Sequence, residues 1–120
     1  FVRHYSGRML NIHPSLLPEF PGLDTHNRVL AAGHKQHGAT VHYVTPELDG
    51  GPLLVQASVQ ITDNDTTESL QQKVHQQEHI IYPMAIGWIA EGRAQYDNNK
   101  IIFDGKPLPK PVQISADHAY

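Results

Sequence analysis

The fold class follows chiefly from one run of β-branched and aromatic residues, Ala39-Thr40-Val41-His42-Tyr43-Val44. Such a composition is typical of a β-strand. A second strand is predicted over residues 53–61, because apolar and polar residues alternate there with period two. The intervening residues 45–52 hold two prolines and two glycines, which indicates a turn or loop. The two runs therefore predict two strands joined by a loop.

Shorter signals predict the elements before this pair. Residues 8–13 read as a strand that ends before Pro14, since a proline disfavours helix and interrupts pairing. Residues 14–26 are rich in proline and glycine and predict a long loop, of the kind that is often functional. Residues 27–32 predict a short helix that Gly33 ends.

The elements after the pair are a long helix and a hairpin. Asp65 followed by Glu68 resembles a capping box, with Asp65 as the N-cap of a helix that continues to about Glu91 and ends at Gly92. Residues 93–96 and 100–103 then predict a small hairpin.

This order of elements predicts an α/β fold, a mixed β-sheet flanked by helices. We assign residues 1–105 to one catalytic unit. Residues 106–120 are expected to form an irregular tail, because Pro107, Pro109 and Pro111 fall within six residues of Gly105.

Composition excludes several classes of protein. The chain has 120 residues, a net charge of −3 and no cysteine. The charge argues against binding nucleic acid through phosphate contacts, which requires a basic face. Without cysteine there is no thiolate nucleophile and no disulfide. The chain starts at Phe1 rather than at a methionine and runs directly into patterned sequence, so we expect that an upstream segment is missing.

Two polar groups stand out at the end of the first predicted strand. Alternation places Asn11 and His13 on one face, with Ile12 on the other. The carboxyl end of a strand in an α/β sheet is a common position for ligands, although a solvated strand end would show the same pattern. Asp49, flanked by Gly50, is by itself a typical turn aspartate.

A metal site receives less support from the sequence. His75 and His79 lie four residues apart on the predicted helix, which is the spacing of a metal-ligand pair. No third ligand has a convincing spacing, and the sequence therefore predicts no metal.

Five runs, taken together and in this order, resemble the folate-dependent formyltransferases. They are Asn11-Ile12-His13-Pro14-Ser15-Leu16-Leu17-Pro18, Phe20-Pro21-Gly22, Gly38-Ala39-Thr40-Val41-His42-Tyr43-Val44, Glu47-Leu48-Asp49-Gly50-Gly51-Pro52 and Glu78-His79-Ile80-Ile81-Tyr82-Pro83. The resemblance implies the C-terminal half of the formyltransferase fold, without the N-terminal half that binds nucleotide. It also implies a cytoplasmic enzyme.

The resemblance is strongest to those members that transfer the formyl group of 10-formyltetrahydrofolate to the amine of glycinamide ribonucleotide in purine biosynthesis. It implies that Asn11, His13 and Asp49 are catalytic. Asn11 and the loop residues Thr45, Pro46, Glu47, Leu48 and Asp49 would contact the folate, and Glu78 and His75 the nucleotide substrate. Pro46 departs from the acidic residue that is usual in the family.

The reaction needs neither a metal nor a covalent intermediate, and it suits the three catalytic residue types. An amide N–H of Asn11 can donate to the oxyanion of the tetrahedral intermediate. His13 can donate a proton, and a carboxylate at Asp49 would favour its charged form.

Alternatives stay open. Another folate-dependent formyltransferase or a formyltetrahydrofolate deformylase shares parts of the pattern. The chain could also be an inactive fragment that needs its missing half or associates with itself, since a sheet cut through its middle exposes a strand edge. Neither a nucleic acid nor a membrane is an expected partner.

Overall fold

The computed structural model describes residues 9–17, 19–20, 22–44, 51–98 and 100–115. Within these ranges the chain forms seven strands and two helices. In chain order they are β1 (Leu10–His13), α1 (Thr25–Ala31), β2 (Gln36–Tyr43), β3 (Leu53–Gln60), α2 (Thr67–Ala90), β4 (Ala94–Asp97), β5 (Lys100–Phe103), β6 (Lys106–Pro107) and β7 (Val112–Ser115).

The main sheet has four strands in the order β1-β2-β3-β7. The pairs β1/β2 and β2/β3 are antiparallel, whereas β3 and β7 run parallel. The predicted mixed sheet is thereby confirmed. The pair β4/β5 is the predicted hairpin, and β6 adds to it as the third strand of a small second sheet.

The expectation of an irregular tail is wrong for two segments. β6 pairs with β5, where Pro107 lies opposite Ile102 at the sheet edge, a position at which the missing amide hydrogen of proline is tolerated. β7 follows the last of the three prolines and pairs with β3 over Val112–Ser115. Residues 116–120 lie outside the described residues.

The core lies between one face of the main sheet and α2. Val41 and Val55 face each other across β2 and β3 and pack with Leu70, Val74 and Ile81 of α2, all of them fully buried. The spacing of the helix residues by four and seven places them on one helix face. This helix is the longest element, yet no helix in the described ranges combines the length and apolar character that a bilayer crossing requires.

The start of α2 differs from the prediction by one residue. Thr66, not Asp65, is the N-cap: its hydroxyl accepts from the Ser69 N–H, and the Ser69 hydroxyl accepts from the Thr66 N–H. Asp65 supports this turn from outside, because its carboxylate accepts from Ser69 Oγ at 2.7 Å and from Lys73 Nζ at 2.6 Å. The helix ends as predicted, at Gly92 with φ +75°.

The short helix α1 also begins earlier than predicted, at Thr25. The Thr25 hydroxyl donates to the Pro14 carbonyl at 2.6 Å, which ties the start of α1 to the chain just after β1. The residue before the helix, Asp24, is in the left-handed region at φ +59° and makes no side-chain cap.

Candidate active site

Strand β1 presents Asn11 and His13 on the sheet face opposite α2. Asn11 lies opposite His42 and His13 opposite Thr40 in the β1/β2 register, and residues directly opposite in an antiparallel pair share a face. Ile12 points the other way and packs against the core. The predicted shared face of Asn11 and His13 is confirmed.

A buried polar network holds the segment that follows His13 against this face. The Thr40 hydroxyl donates to the Ser15 carbonyl at 2.7 Å and accepts from the Leu17 N–H at 3.1 Å. The Gln56 amide donates to the Leu17 carbonyl at 2.6 Å, and it accepts from Gln113 of β7 at 2.9 Å. Since Thr40 and Gln56 are buried, the network fixes where β1 ends and where the next loop begins.

His13 is itself buried, with 6% of its surface exposed. Its Nε2 lies 2.9 Å from the Phe20 carbonyl oxygen. A carbonyl oxygen only accepts, so this contact places a proton on Nε2. The imidazole is therefore oriented as a proton donor on the Nε2 side.

The loop residue that makes this contact is conformationally unusual. Phe20 has φ +51°, which lies in the left-handed backbone region that is costly for residues other than glycine. Its ring contacts His34 edge-on at a centroid distance of 5.0 Å, and the Arg28 guanidinium lies 5.5 Å from its centroid. These contacts hold Phe20 in the conformation that turns its carbonyl toward His13.

Asn11, which precedes His13 by two residues on β1, is exposed. Its Oδ1 accepts from the Ile12 N–H at 2.9 Å. The amide oxygen is thereby engaged with the backbone, which leaves the NH₂ group as the end of the side chain that can donate to a ligand.

The remaining catalytic and folate-contacting candidates, Thr45, Pro46, Glu47, Leu48 and Asp49, lie outside the described residues. Two backbone hydrogen bonds hold the described residues on either side of this loop. The Val44 N–H donates to the Met9 carbonyl at 2.9 Å, and the Tyr43 N–H donates to the Pro52 carbonyl at 3.0 Å. The convergence of Asp49 with Asn11 and His13 stays a prediction.

The candidates for the nucleotide substrate lie on α2, across the sheet from the side chains of Asn11 and His13. Burial raises the pKa of the Glu78 carboxyl, with His75 and His79 acting in the opposite direction. The His75 side chain is 65% exposed, and its Nδ1 lies 3.8 Å from Glu78 Oε2.

A pair of histidines near α1 was not singled out by the sequence. His26 Nδ1 and His37 Nε2 lie 3.0 Å apart, and His37 is 1% exposed. Burial, and after it the neighbouring His26, His13 and His34, lower the pKa of His37 to about 4. Position 37 precedes the predicted strand, and nothing in the sequence pattern marks it as buried.

Comparison with known proteins assigns the family. A model of the formyl transferase family matches residues 1–86. The chain belongs to this family.

Its relatives include phosphoribosylglycinamide formyltransferase of Escherichia coli, which is 50% identical over 117 residues; the match covers 98% of this chain and 55% of the relative. The solved phosphoribosylglycinamide formyltransferase of Coxiella burnetii is 57% identical at a TM-score of 0.87, covering 92% of this chain and 53% of that one. A formyltetrahydrofolate deformylase from Pseudomonas syringae is 32% identical at a TM-score of 0.79, covering 83% and 34%. The chain thus spans about half the length of these bacterial relatives.

Proposed function

We propose that this chain is the catalytic part of an enzyme that transfers the formyl group of 10-formyltetrahydrofolate to the amine of glycinamide ribonucleotide. One observation carries the proposal: Asn11 and His13 share one face at the end of β1, in a formyl transferase whose close relatives are named for this activity. A cytoplasmic location belongs to the same proposal.

Asn11 and His13 supply donors on the same side of the sheet. When the substrate amine attacks the formyl carbon, negative charge develops on the formyl oxygen. The Asn11 NH₂ group would donate to that oxygen, an interaction whose loss typically costs about 2.7–4 kcal/mol of barrier. His13 would donate to the same oxygen or deliver a proton to the leaving folate nitrogen, which requires its Nε2–H to move away from the Phe20 carbonyl.

Asp49 would complete this group from the loop between β2 and β3. The proposal is supported by where the described ends of the loop lie: His42 is opposite both Asn11 of β1 and Leu53 of β3. The chain therefore leaves the sheet from the strand that pairs with β1 and re-enters it one strand farther from Asn11. A carboxylate held there would favour the charged imidazole and could position a water that relays the proton.

The same loop, Thr45 to Asp49, would contact the folate together with Asn11. Glu78 and His75 would contact the nucleotide substrate, with the Glu78 carboxylate accepting from ribose hydroxyls. A charged carboxylate accepts such hydrogen bonds more strongly than a neutral acyl oxygen.

The deformylase alternative is less well supported. The solved deformylase is 32% identical to this chain, whereas the solved formyltransferase from Coxiella burnetii is 57% identical. We therefore retain the amine, rather than water, as the acceptor of the formyl group.

Activity also requires the part of the relatives that this chain does not match. β1 and β7 are the two terminal strands of the main sheet within the described residues, and an unpaired strand edge is a template for a further strand. We propose that a complementing segment pairs along β1. Formyl transfer should be absent from the 120-residue chain alone and appear when the missing part of a relative is added; full activity of the chain alone would refute the need for it.

The catalytic assignment is tested by His13→Ala and Asp49→Ala in the complemented enzyme. Each change should lower kcat by about 10²-fold or more while KM for both substrates changes little, because the groups act on the transition state. A near-normal kcat for Asp49→Ala would remove Asp49 from the mechanism and leave Asn11 and His13 in place.

A further inference from the structure

A second chemically distinct feature lies on the exposed side of α2. His75 and His79 are both exposed, and their Nε2 atoms lie 2.9 Å apart with the rings at 89° to each other. Two imidazole nitrogens bound to one zinc ion at about 2.05 Å and at the tetrahedral angle are about 3.3 Å apart. At 2.9 Å the two nitrogens are within hydrogen-bond distance, so chelation would replace the shared proton by the ion and separate the nitrogens by a few tenths of an ångström.

A carboxylate next to the pair favours the required tautomer. Glu78 Oε2 lies 3.8 Å from Nδ1 of His75. Negative charge on that side favours a proton on Nδ1, which leaves the Nε2 lone pair directed toward His79. A carboxylate behind a histidine ligand is the usual outer partner in zinc sites.

From this geometry we propose that His75 and His79 form a two-histidine site for a divalent transition-metal ion, with Zn²⁺ as its reference ligand. Imidazole nitrogen is a preferred donor for Zn²⁺, Cu²⁺ and Ni²⁺. No cluster of three or more histidine, cysteine, aspartate or glutamate side chains suited to a metal occurs in the described part of the chain, so water would fill the other coordination positions.

The proposal departs from the expectation of no metal drawn from the sequence. Spacing alone shows only that the two histidines share a helix face, whereas the structure adds the separation of their nitrogens and the position of Glu78. His75 and Glu78 also belong to the proposed nucleotide-substrate site, so metal binding is measured without substrate, and its failure leaves the proposed formyl transfer untouched.

Titration calorimetry with Zn²⁺ at pH 7.5, in a buffer that binds zinc weakly, tests the proposal. We expect one site that His75→Gln and His79→Gln each weaken at least tenfold. His34→Gln, which removes another exposed histidine, should leave that site unchanged. An isotherm that His75→Gln and His79→Gln do not alter would overturn the proposal.

A spacing control separates chelation from simple histidine content. The double change His79→Gln with Gln76→His keeps all nine histidines but places the pair at adjacent positions, which do not face each other on a helix. Both 76 and 79 are exposed, so the helix should tolerate the change, and circular dichroism verifies this. The double variant should bind Zn²⁺ as weakly as His79→Gln; affinity equal to that of the unchanged chain would refute the two-histidine site.

Discussion

At the residue scale, Gly38 shows how closely the loop after β1 approaches the sheet. A Cβ built at Gly38 would lie 1.9 Å from the Ala57 carbonyl oxygen and 2.9 Å from Leu16 Cδ2. The backbone of β3 and the segment after His13 therefore leave room only for a hydrogen atom. The packing that places His13 depends on this absence of a side chain.

Gly38→Ala should destabilise the fold by about 3 kcal/mol or more, because the contact is with backbone that cannot yield cheaply. Gly87→Ala is the matched control: a Cβ there meets nothing within 4 Å, and alanine in a helix interior is favoured over glycine by about 1 kcal/mol. The urea midpoint of unfolding should fall for Gly38→Ala and rise for Gly87→Ala. Similar midpoints for both would contradict the packing described at Gly38.

His37 predicts a pH dependence of stability. Its pKa is about 4 in the folded chain and about 6.5 when unfolded, so the unfolded chain binds the extra proton first. The stability gained by burying the neutral His37 ring is complete above about pH 6.5. It declines as the pH falls toward 4, by up to about 3 kcal/mol. Urea titrations at several pH values should show a shallower decline of the free energy of unfolding for His37→Gln, and the exposed His75→Gln serves as the control. Parallel curves for His37→Gln and the unchanged chain would show that burial of His37 does not cause the decline.

The candidate site was only partly predictable at this scale. Alternation in β1 correctly placed Asn11 and His13 together, because a strand has period two regardless of its surroundings. The same alternation gives no sign that Thr40 and Gln56 are buried and bonded to the loop. Their burial depends on residues 15–17 folding back over the sheet, a non-local event that local sequence does not encode.

At the element scale, α2 shows which features of a helix are local. Its apolar spacing and its end at Gly92 were predicted, since both follow from residues within a few positions. Its N-cap was not, because Asp65 and Thr66 are both good capping residues. The structure uses Thr66 as the cap and places the Asp65 carboxylate on Lys73 and Ser69 instead.

Asp65→Asn should therefore destabilise the chain at neutral pH, by about 1–3 kcal/mol, through weaker charge-assisted hydrogen bonds. The hydrogen bond from Lys73 holds the pKa of Asp65 below its ordinary value. The stability contributed by the charged Asp65 carboxylate is present above about pH 4, the ordinary pKa of aspartate. It is lost as the pH falls further. The fall in the midpoint of thermal unfolding caused by Asp65→Asn should be smaller at pH 3 than at pH 7. Asp63→Asn, at an exposed neighbouring position, controls for net charge, and a loss there as large as for Asp65→Asn would refute the specific role.

At the scale of the whole molecule, local patterns predicted the fold class but not all of the sheet. β2, β3 and the β4/β5 hairpin carry strong periodicity or turn signals. β7 pairs with β3 across more than fifty residues of chain, and the prolines before it indicated irregular structure. Strands that depend on distant pairing have weak local signals, and here such a strand completes the main sheet.

The proposed formyl transfer depends on Asn11 acting as a donor to the reacting oxygen on the face it shares with His13. The most direct measurement is kcat for formyl transfer by Asn11→Asp in the complemented enzyme, compared with Asn64→Asp at an exposed turn. The change at 11 keeps the side-chain shape but replaces the NH₂ donor with a negative charge. We predict a fall in kcat of at least 10²-fold for Asn11→Asp and unchanged kcat for Asn64→Asp; an Asn11→Asp enzyme with near-normal kcat would contradict the account.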